Sequence, residues 1–197
     1  MIYDRFAKGY DRAFAPFEKR FLSEWRAETL SRLPENARIL EIGAGTGANF
    51  EFYPTCRHAV ASEISRPMLE LARPKTDFIE LIEADAETLP FAANYFDAAF
   101  ATLVFCSIPK PENAFGELQR VVKPGGRIVL LEHVRPQGLK GFAFDCLNVL
   151  TSRLIEDHFN RRTAKLAEES GLKVLEVKEK ALGIVNLIVC QVGFTQN

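Results

Sequence analysis

The feature that most constrains this chain is the segment Glu41–Phe50, which reads E-I-G-A-G-T-G-A-N-F. It follows a short apolar run ending at Leu40 and precedes a second apolar run that ends in Glu63. This order predicts a strand, a glycine-rich turn, a helix start and a second strand ending in a carboxylate. Glycines in such a turn let the backbone approach a bound ligand, and a carboxylate about twenty residues later can accept both hydroxyls of a ribose. The segment therefore predicts a site for an adenosine-containing cofactor.

The glycines alone leave the identity of that cofactor open. Gly43, Gly45 and Ala48 satisfy the G-x-G-x-x-G/A fingerprint of dinucleotide sites, so they are compatible with NAD. Glu41 favours a different ligand, because its carboxylate can reach an ammonium group and would repel a pyrophosphate. Asp85, which follows a third apolar run, is placed to accept a hydrogen bond from an adenine amino group.

Strand-like and helix-like stretches alternate along the chain, which predicts a parallel sheet covered by helices on both faces. The predicted strands are Arg38–Ile42, His58–Glu63, Phe78–Ile82, Phe96–Phe105 and Arg127–Glu132, and the predicted helices are Pro16–Leu33, Pro67–Ala72, Pro111–Val122 and Arg161–Ser170. Two further strands, Leu172–Lys178 and Ile184–Phe194, are separated by about five residues and must be antiparallel, since a parallel crossover needs a dozen or more.

Several segments, taken in order, resemble class I S-adenosylmethionine (SAM)-dependent methyltransferases over nearly the whole chain. They are the glycine-rich segment, F-A-K-G-Y-D-R (Phe6–Arg12), L-P-F-A-A-N-Y-F-D (Leu89–Asp97) and E-L-Q-R-V-V-K-P-G-G-R (Glu117–Arg127). The resemblance implies a Rossmann-like α/β fold with a mostly parallel seven-stranded sheet, an antiparallel last strand and helices on both faces. It also implies one domain over residues 1–197, with an N-terminal lid and helix in residues 1–33 and an acceptor-site insertion in residues 133–160.

The same resemblance implies which residues contact SAM and its product, S-adenosylhomocysteine. They are Tyr10, Glu41, Gly43, Ala44, Gly45, Gly47, Glu63, Ile64, Met68, Asp85, Ala86, Thr102 and Leu103. Tyr10 is expected in the lid, Glu41 near the methionine part of SAM, and Glu63 on the ribose. A solvated residue at a strand end is the alternative for Glu41.

The remaining predicted contacts surround the two ends of the cofactor. Ile64 and Met68 are expected against the adenine, with ordinary core packing as an equally good interpretation of Met68. Asp85 and the Ala86 backbone are expected to bind the adenine as well. The fourth strand is predicted to end beside the methionine tail, which Thr102 and Leu103 flank, since ligands lie at the carboxyl ends of strands in open sheets.

His133 directly follows the fifth predicted strand, in L-E-H-V-R-P. Its side chain titrates near neutral pH, so it is the candidate catalytic base. A structural histidine is the alternative, because no second group at triad spacing accompanies it.

Three segments also indicate the class of methyl acceptor. G-T-G-A-N-F-E-F-Y-P (Gly45–Pro54), T-L-V-F-C-S-I (Thr102–Ile108) and E-H-V (Glu132–Val134) resemble thiol S-methyltransferases, ubiquinone/menaquinone C-methyltransferases and phospholipid N-methyltransferases. The resemblance implies a small or lipophilic acceptor: a thiol, a lipid amine or a quinone-type ring. An NAD-dependent oxidoreductase and a non-catalytic SAM-binding module are the alternatives.

Composition and short motifs limit the classes of binding partner and the cellular compartment that we expect for this protein. A net charge of −1 gives no bulk electrostatic case for binding nucleic acid, and four scattered cysteines without a C-x-x-C pair favour reduced thiols. No H-E-x-x-H motif or clustered ligand set predicts a metal. The sequence contains neither a secretory signal nor about 18 consecutive apolar residues. These features predict a cytoplasmic protein, and the thiol S-methyltransferase resemblance adds peripheral contact with a membrane.

Overall fold

The computed structural model describes residues 22–134 and 162–194. Within these ranges the α-helices are α1 (Ser23–Leu30), α2 (Arg66–Ala72), α3 (Pro111–Val121) and α4 (Thr163–Glu169). The strands are β1 (Ala37–Ile42), β2 (Cys56–Glu63), β3 (Ile79–Glu83), β4 (Phe96–Thr102), β5 (Val122–His133), β6 (Lys173–Lys180) and β7 (Val185–Gln191). Most of these boundaries differ from the predicted ones by only a few residues.

The strands form one sheet in the order β3-β2-β1-β4-β5-β7-β6. Strands β1 to β5 pair in parallel, whereas β7 is antiparallel to both β5 and β6. The predicted fold class is therefore confirmed. The strand order reverses between β1 and β4, and ligands in open α/β sheets bind beyond the carboxyl ends of the strands at such a point.

Apolar side chains cover both faces of the sheet. On one face, Phe115 and Leu118 of α3 pack with Leu130 of β5 in a buried cluster. On the other face, Leu30 of α1 packs with Val129. Each large side chain that is fully buried contributes about 1.5–3 kcal/mol. Packing on both faces thus holds the carboxyl ends of the central strands in fixed positions.

Strand β4 ends at Thr102, so the predicted end at Phe105 is wrong. Leu103 adopts a φ of +60°, which turns the chain out of the sheet. A non-glycine residue in this conformation costs on the order of 1–3 kcal/mol, and such residues cluster at ligand sites. The strain therefore lies where the sequence predicts the methionine end of the cofactor.

Strand β5 begins at Val122, directly after α3, and not at the predicted Arg127. Val122 pairs with Phe96 and Arg127 pairs with Ala98, so the intervening residues form an irregularity in the pairing. The segment K-P-G-G therefore lies inside the strand as a bulge, a position where proline and glycine are tolerated within sheets.

Three predictions fall on parts of the chain outside the described residues. They concern Tyr10 with the rest of the lid, the first turns of the predicted N-terminal helix, and most of the insertion at residues 133–160. Within the described residues, no helix has the length and apolar character needed to cross a membrane.

Candidate functional site

A cavity of about 320 Å³ lies at the carboxyl ends of the central strands, within the range typical of small-molecule sites. The predicted cofactor residues that line it are Gly43, Ala44, Gly45, Glu63, Ile64, Met68, Asp85, Ala86, Thr102 and Leu103. Glu41, Gly47 and His133 lie in the part of the chain that the structure describes, but they do not line the cavity. The fold thus brings most of the predicted residues to one place, while their contacts with SAM stay a prediction.

The glycine-rich turn forms the floor of this cavity. Gly43 has a φ of +67°, and a Cβ atom there would lie 2.5 Å from the Cγ2 of Val104. Gly45 has a φ of +55°, but a Cβ atom there would meet nothing within 4 Å. Both positions therefore need a glycine for conformation, and Gly43 needs one for packing as well.

Glu63, at the end of β2, is almost fully buried and holds the glycine turn in place. Its Oε2 accepts a hydrogen bond of 2.9 Å from the backbone N–H of Gly45. Its Oε1 accepts another of 2.9 Å from the backbone N–H of Ser65. Each carboxylate oxygen has two lone pairs and can accept more than one hydrogen bond, as a contact with ribose hydroxyls would require. The sequence predicted the ligand role but not this structural one.

We expect Glu63→Gln to weaken S-adenosylhomocysteine binding about 10- to 100-fold, since hydrogen bonds to a charged group contribute about 1.5–3 kcal/mol. The melting temperature should also fall, because an amide offers one acceptor oxygen to two backbone donors. Calorimetric titration and thermal denaturation measure the two effects. Glu83→Gln, at the exposed end of the neighbouring β3, is the matched control. An unchanged dissociation constant would remove Glu63 from the site.

The end of the cavity near β2 and β3 combines apolar and acidic groups. Ile64 is 41% exposed although it is a large apolar residue, whereas Met68 is 3% exposed. Met68 both packs in the interior and lines the cavity, so its two interpretations are compatible. The Oδ1 of Asp85 accepts a hydrogen bond of 2.8 Å from the backbone N–H of Glu87. This bond fixes the carboxylate at the predicted adenine end.

Glu41 is fully buried, so its interpretation as a solvated residue is wrong. Its carboxylate accepts hydrogen bonds from Asn49 Nδ2 at 2.6 Å and from the Tyr53 hydroxyl at 2.7 Å. Burial raises the pKa of Glu41 from 4.5 to about 7. Successive side chains of a strand point to opposite faces, and Ile42 lines the cavity while Glu41 does not. Glu41 contacts the cavity wall through Asn49, which does line the cavity.

Arg26 and Asn49 are among the cavity residues that the sequence analysis did not predict. Arg26 lies on α1, and its Nη1 donates hydrogen bonds to Asn49 Oδ1 at 2.8 Å and to Thr102 Oγ1. Asn49 Nδ2 also donates to Thr102 Oγ1 at 2.9 Å. The segment N-F-E-F-Y contributed to the family resemblance, but nothing local indicated a role for its asparagine.

Another residue whose role the sequence analysis missed, Glu132, fixes the loop that follows β4. It is fully buried, and its carboxylate accepts hydrogen bonds from the backbone N–H groups of Val104 at 3.0 Å and Phe105 at 3.1 Å. The N–H of Leu103 donates to the carbonyl of Leu131 at 2.7 Å. Strand β5 thereby determines the shape of the cavity wall that includes Leu103 and Val104.

His133 is the last residue of β5 and pairs with Val185 of β7. Because side chains alternate along a strand, it faces away from the side that Glu132 occupies. Burial lowers the pKa of His133 below its ordinary value of 6.5, so the ring is mostly neutral at pH 7. The described residues do not bring it to the cavity, and its catalytic role stays a prediction.

Comparisons with known proteins agree with this geometry. Residues 40–130 match the model of a methyltransferase domain family. A demethylmenaquinone methyltransferase from Bacillus licheniformis is 30% identical over 85% of this chain and 75% of its own length. The thiol S-methyltransferase TMT1B of Mus musculus is 33% identical over 73% of this chain and 63% of its own length. The chain spans 58% of another relative, a demethylmenaquinone methyltransferase from Clavibacter sepedonicus that is 34% identical over 68% of this chain.

A solved structure shows the same fold. The SAM-dependent methyltransferase from Thermotoga maritima superposes with a TM-score of 0.75 at 23% identity, over 97% of this chain and 98% of the other. The chain belongs to the class I SAM-dependent methyltransferases. Membership of this family favours SAM over a nicotinamide cofactor as the ligand of the cavity.

Proposed function

We propose that this enzyme binds SAM in the cavity described above and methylates a small lipophilic acceptor, with a quinone-type ring as the first candidate. The observation that carries the proposal is the hydrogen bond between the glycine turn and Glu63, in a cavity that Ile64 and Asp85 also line. A thiol is the second candidate, because the mouse relative is a thiol S-methyltransferase. A lipid amine is the third.

The residues of the cavity suit the functional groups of SAM. Glu63 would accept the ribose hydroxyls, Asp85 and the Ala86 backbone would bind the adenine, and Gly43 and Gly45 would allow close approach of the backbone. The sulfonium supplies an already electrophilic methyl group, so the protein need not provide an electrophile. The work left to the chain is to orient the acceptor and exclude water.

The cavity wall formed by the loop after β4 favours an apolar acceptor. Val104, Ile108 and Pro109 line this part of the cavity, and Glu132 fixes the backbone that carries Val104. Apolar side chains with a few placed polar groups are typical of sites for small lipophilic molecules. A lipophilic acceptor in turn supports a cytoplasmic enzyme with peripheral contact at a membrane, and nothing in the net charge of −1 favours nucleic acid as a partner.

A role for His133 as general base forms part of the proposal. The lowered pKa keeps the ring neutral at physiological pH, the form that can accept a proton from a thiol, an amine or a ring carbon. A positioned base contributes roughly 10²–10⁴-fold to a reaction rate.

Transfer of a labelled methyl group from SAM tests the acceptor class. The purified enzyme is incubated with demethylmenaquinone, a small alkyl thiol or phosphatidylethanolamine, and the organic extract is counted. We expect the quinone to be labelled fastest, and His133→Asn to reduce that rate about 100-fold while leaving SAM affinity unchanged. His58→Asn, which removes a partly exposed histidine paired with Glu80, is the control. Failure to label any of the three, with label entering protein or RNA when a cell extract is supplied, would contradict the proposed acceptor class. Normal turnover by His133→Asn would make His133 a packing residue.

A further inference from the structure

Acidic and basic side chains lie at opposite ends of the cavity. Among the lining residues in the described ranges, Glu63 and Asp85 are acidic and Arg26 is the single basic residue. Glu63 is the last residue of β2 and Asp85 follows β3, while Arg26 contacts Thr102 at the end of β4. Strand β1 lies between β2 and β4, so the two charged ends are separated by two strand spacings, roughly 10 Å. The cavity therefore has an acidic end and a basic end.

Arg26 is built into the wall and is not a surface side chain. It is 7% exposed, and its Nη1 donates to both Asn49 Oδ1 and Thr102 Oγ1. These bonds attach α1 to the end of β4 and to the segment that follows the glycine turn. They also fix the plane of the guanidinium, which lowers the entropy that a ligand contact would otherwise cost.

The functional groups of SAM determine which part of the cofactor suits each end. Ribose hydroxyls and the adenine amino group are hydrogen-bond donors, so they match Glu63 and Asp85. The sulfonium and the α-ammonium are positive and would be repelled by a guanidinium. The α-carboxylate is the anionic group of the molecule, and arginine recognises carboxylates through paired, charge-assisted hydrogen bonds.

We propose that Arg26 binds the α-carboxylate of the methionine part of SAM, with Asn49 and Thr102 holding the guanidinium in position. The inference rests on the proposed placement of SAM in this cavity. It makes α1 a part of the donor site, because the same side chain joins the helix, the strand ends and the ligand. Cofactor binding thereby adds a further link between α1 and the sheet.

Two ligands that differ in the amino-acid part test the proposal by calorimetric titration. S-adenosylhomocysteine carries the α-carboxylate, whereas 5′-methylthioadenosine keeps the adenosine and the thioether but has no amino-acid part. We expect Arg26→Gln to weaken S-adenosylhomocysteine binding about 10- to 100-fold, the range for a charge-assisted contact, and to leave 5′-methylthioadenosine binding unchanged. Arg26→Lys should retain part of the affinity, because it keeps the charge but not the paired geometry.

The control is Arg32→Gln, which changes an arginine just beyond α1 that pairs with Glu28 and Glu176. It should bind both ligands normally. Binding of 5′-methylthioadenosine also reports whether each variant is folded. Equal losses for both ligands, or no loss for either, would overturn the role of Arg26 while the proposed function stands. A wild-type protein that binds neither ligand would overturn the placement of SAM and this inference together.

Discussion

Gly43→Ala is expected to lose roughly 2–5 kcal/mol of stability, whereas Gly45→Ala loses only about 1–2 kcal/mol. Both residues have a positive φ, and an L side chain in that region costs about 1–2 kcal/mol. At Gly43 the added methyl would also lie 2.5 and 2.6 Å from the two methyl groups of Val104. Overpacking of this kind adds roughly 1–3 kcal/mol, a large part of the 5–15 kcal/mol typical of a domain.

Urea denaturation of the two variants and the wild type measures the difference. Adding Val104→Ala to Gly43→Ala should recover the steric part of the loss, while the same change added to Gly45→Ala should recover nothing. Gly45 lines the cavity, so Gly45→Ala should reduce affinity for S-adenosylhomocysteine more than it reduces stability. Equal destabilisation by the two alanines would show that Val104 does not constrain the turn.

The sequence predicted the parts of this site that depend on local pattern. The order of strand, glycine turn and second strand located Gly43, Gly45 and Glu63, because the topology of a parallel sheet brings the carboxyl ends of adjacent strands together. The alternation of elements predicted the sheet and its final antiparallel pair. The sequence pattern could not predict the backbone conformation of a single residue. Leu103 lies within an apolar run, yet its φ of +60° ends β4 three residues earlier than predicted.

The residues that were missed depend on contacts between distant parts of the chain. Arginine on a helix is usually exposed, and Arg26 is buried only because it reaches partners 23 and 76 residues away. Glu132 lies within an apolar strand, and its role comes from backbone groups 27 and 28 residues earlier. Glu41 was predicted near the methionine tail, which stays a prediction, but its bonds to Asn49 and Tyr53 could not be predicted. Such roles follow from tertiary packing, which a one-dimensional pattern does not encode.

Glu41→Gln is expected to be more stable than the wild type near pH 8, by about 3 kcal/mol. Burial raises the pKa of Glu41 to about 7 in the folded protein, from 4.5, and each pKa unit corresponds to about 1.4 kcal/mol. Below pH 4.5 the carboxyl is protonated in both states and costs nothing. As the pH rises through 4.5 to 7, the unfolded chain releases the proton first, so the wild type loses stability. A neutral glutamine has no such loss, and its amide N–H can donate to the Tyr53 hydroxyl, which accepts as well as donates, unlike the backbone N–H groups at Glu63.

The difference in unfolding free energy between variant and wild type, measured by urea denaturation from about pH 4 to pH 8, isolates this effect. Glu28, whose pKa is lowered to about 2 by Lys178 and Lys180, acts in the opposite direction: its stabilisation is present above pH 4.5 and is lost as the pH falls towards 2. It is unchanged in both proteins, so it cancels in the difference. Glu51→Gln, at an exposed position, should give a flat profile. A flat profile for Glu41→Gln as well would mean that Asn49 and Tyr53 stabilise the carboxylate enough to offset its burial.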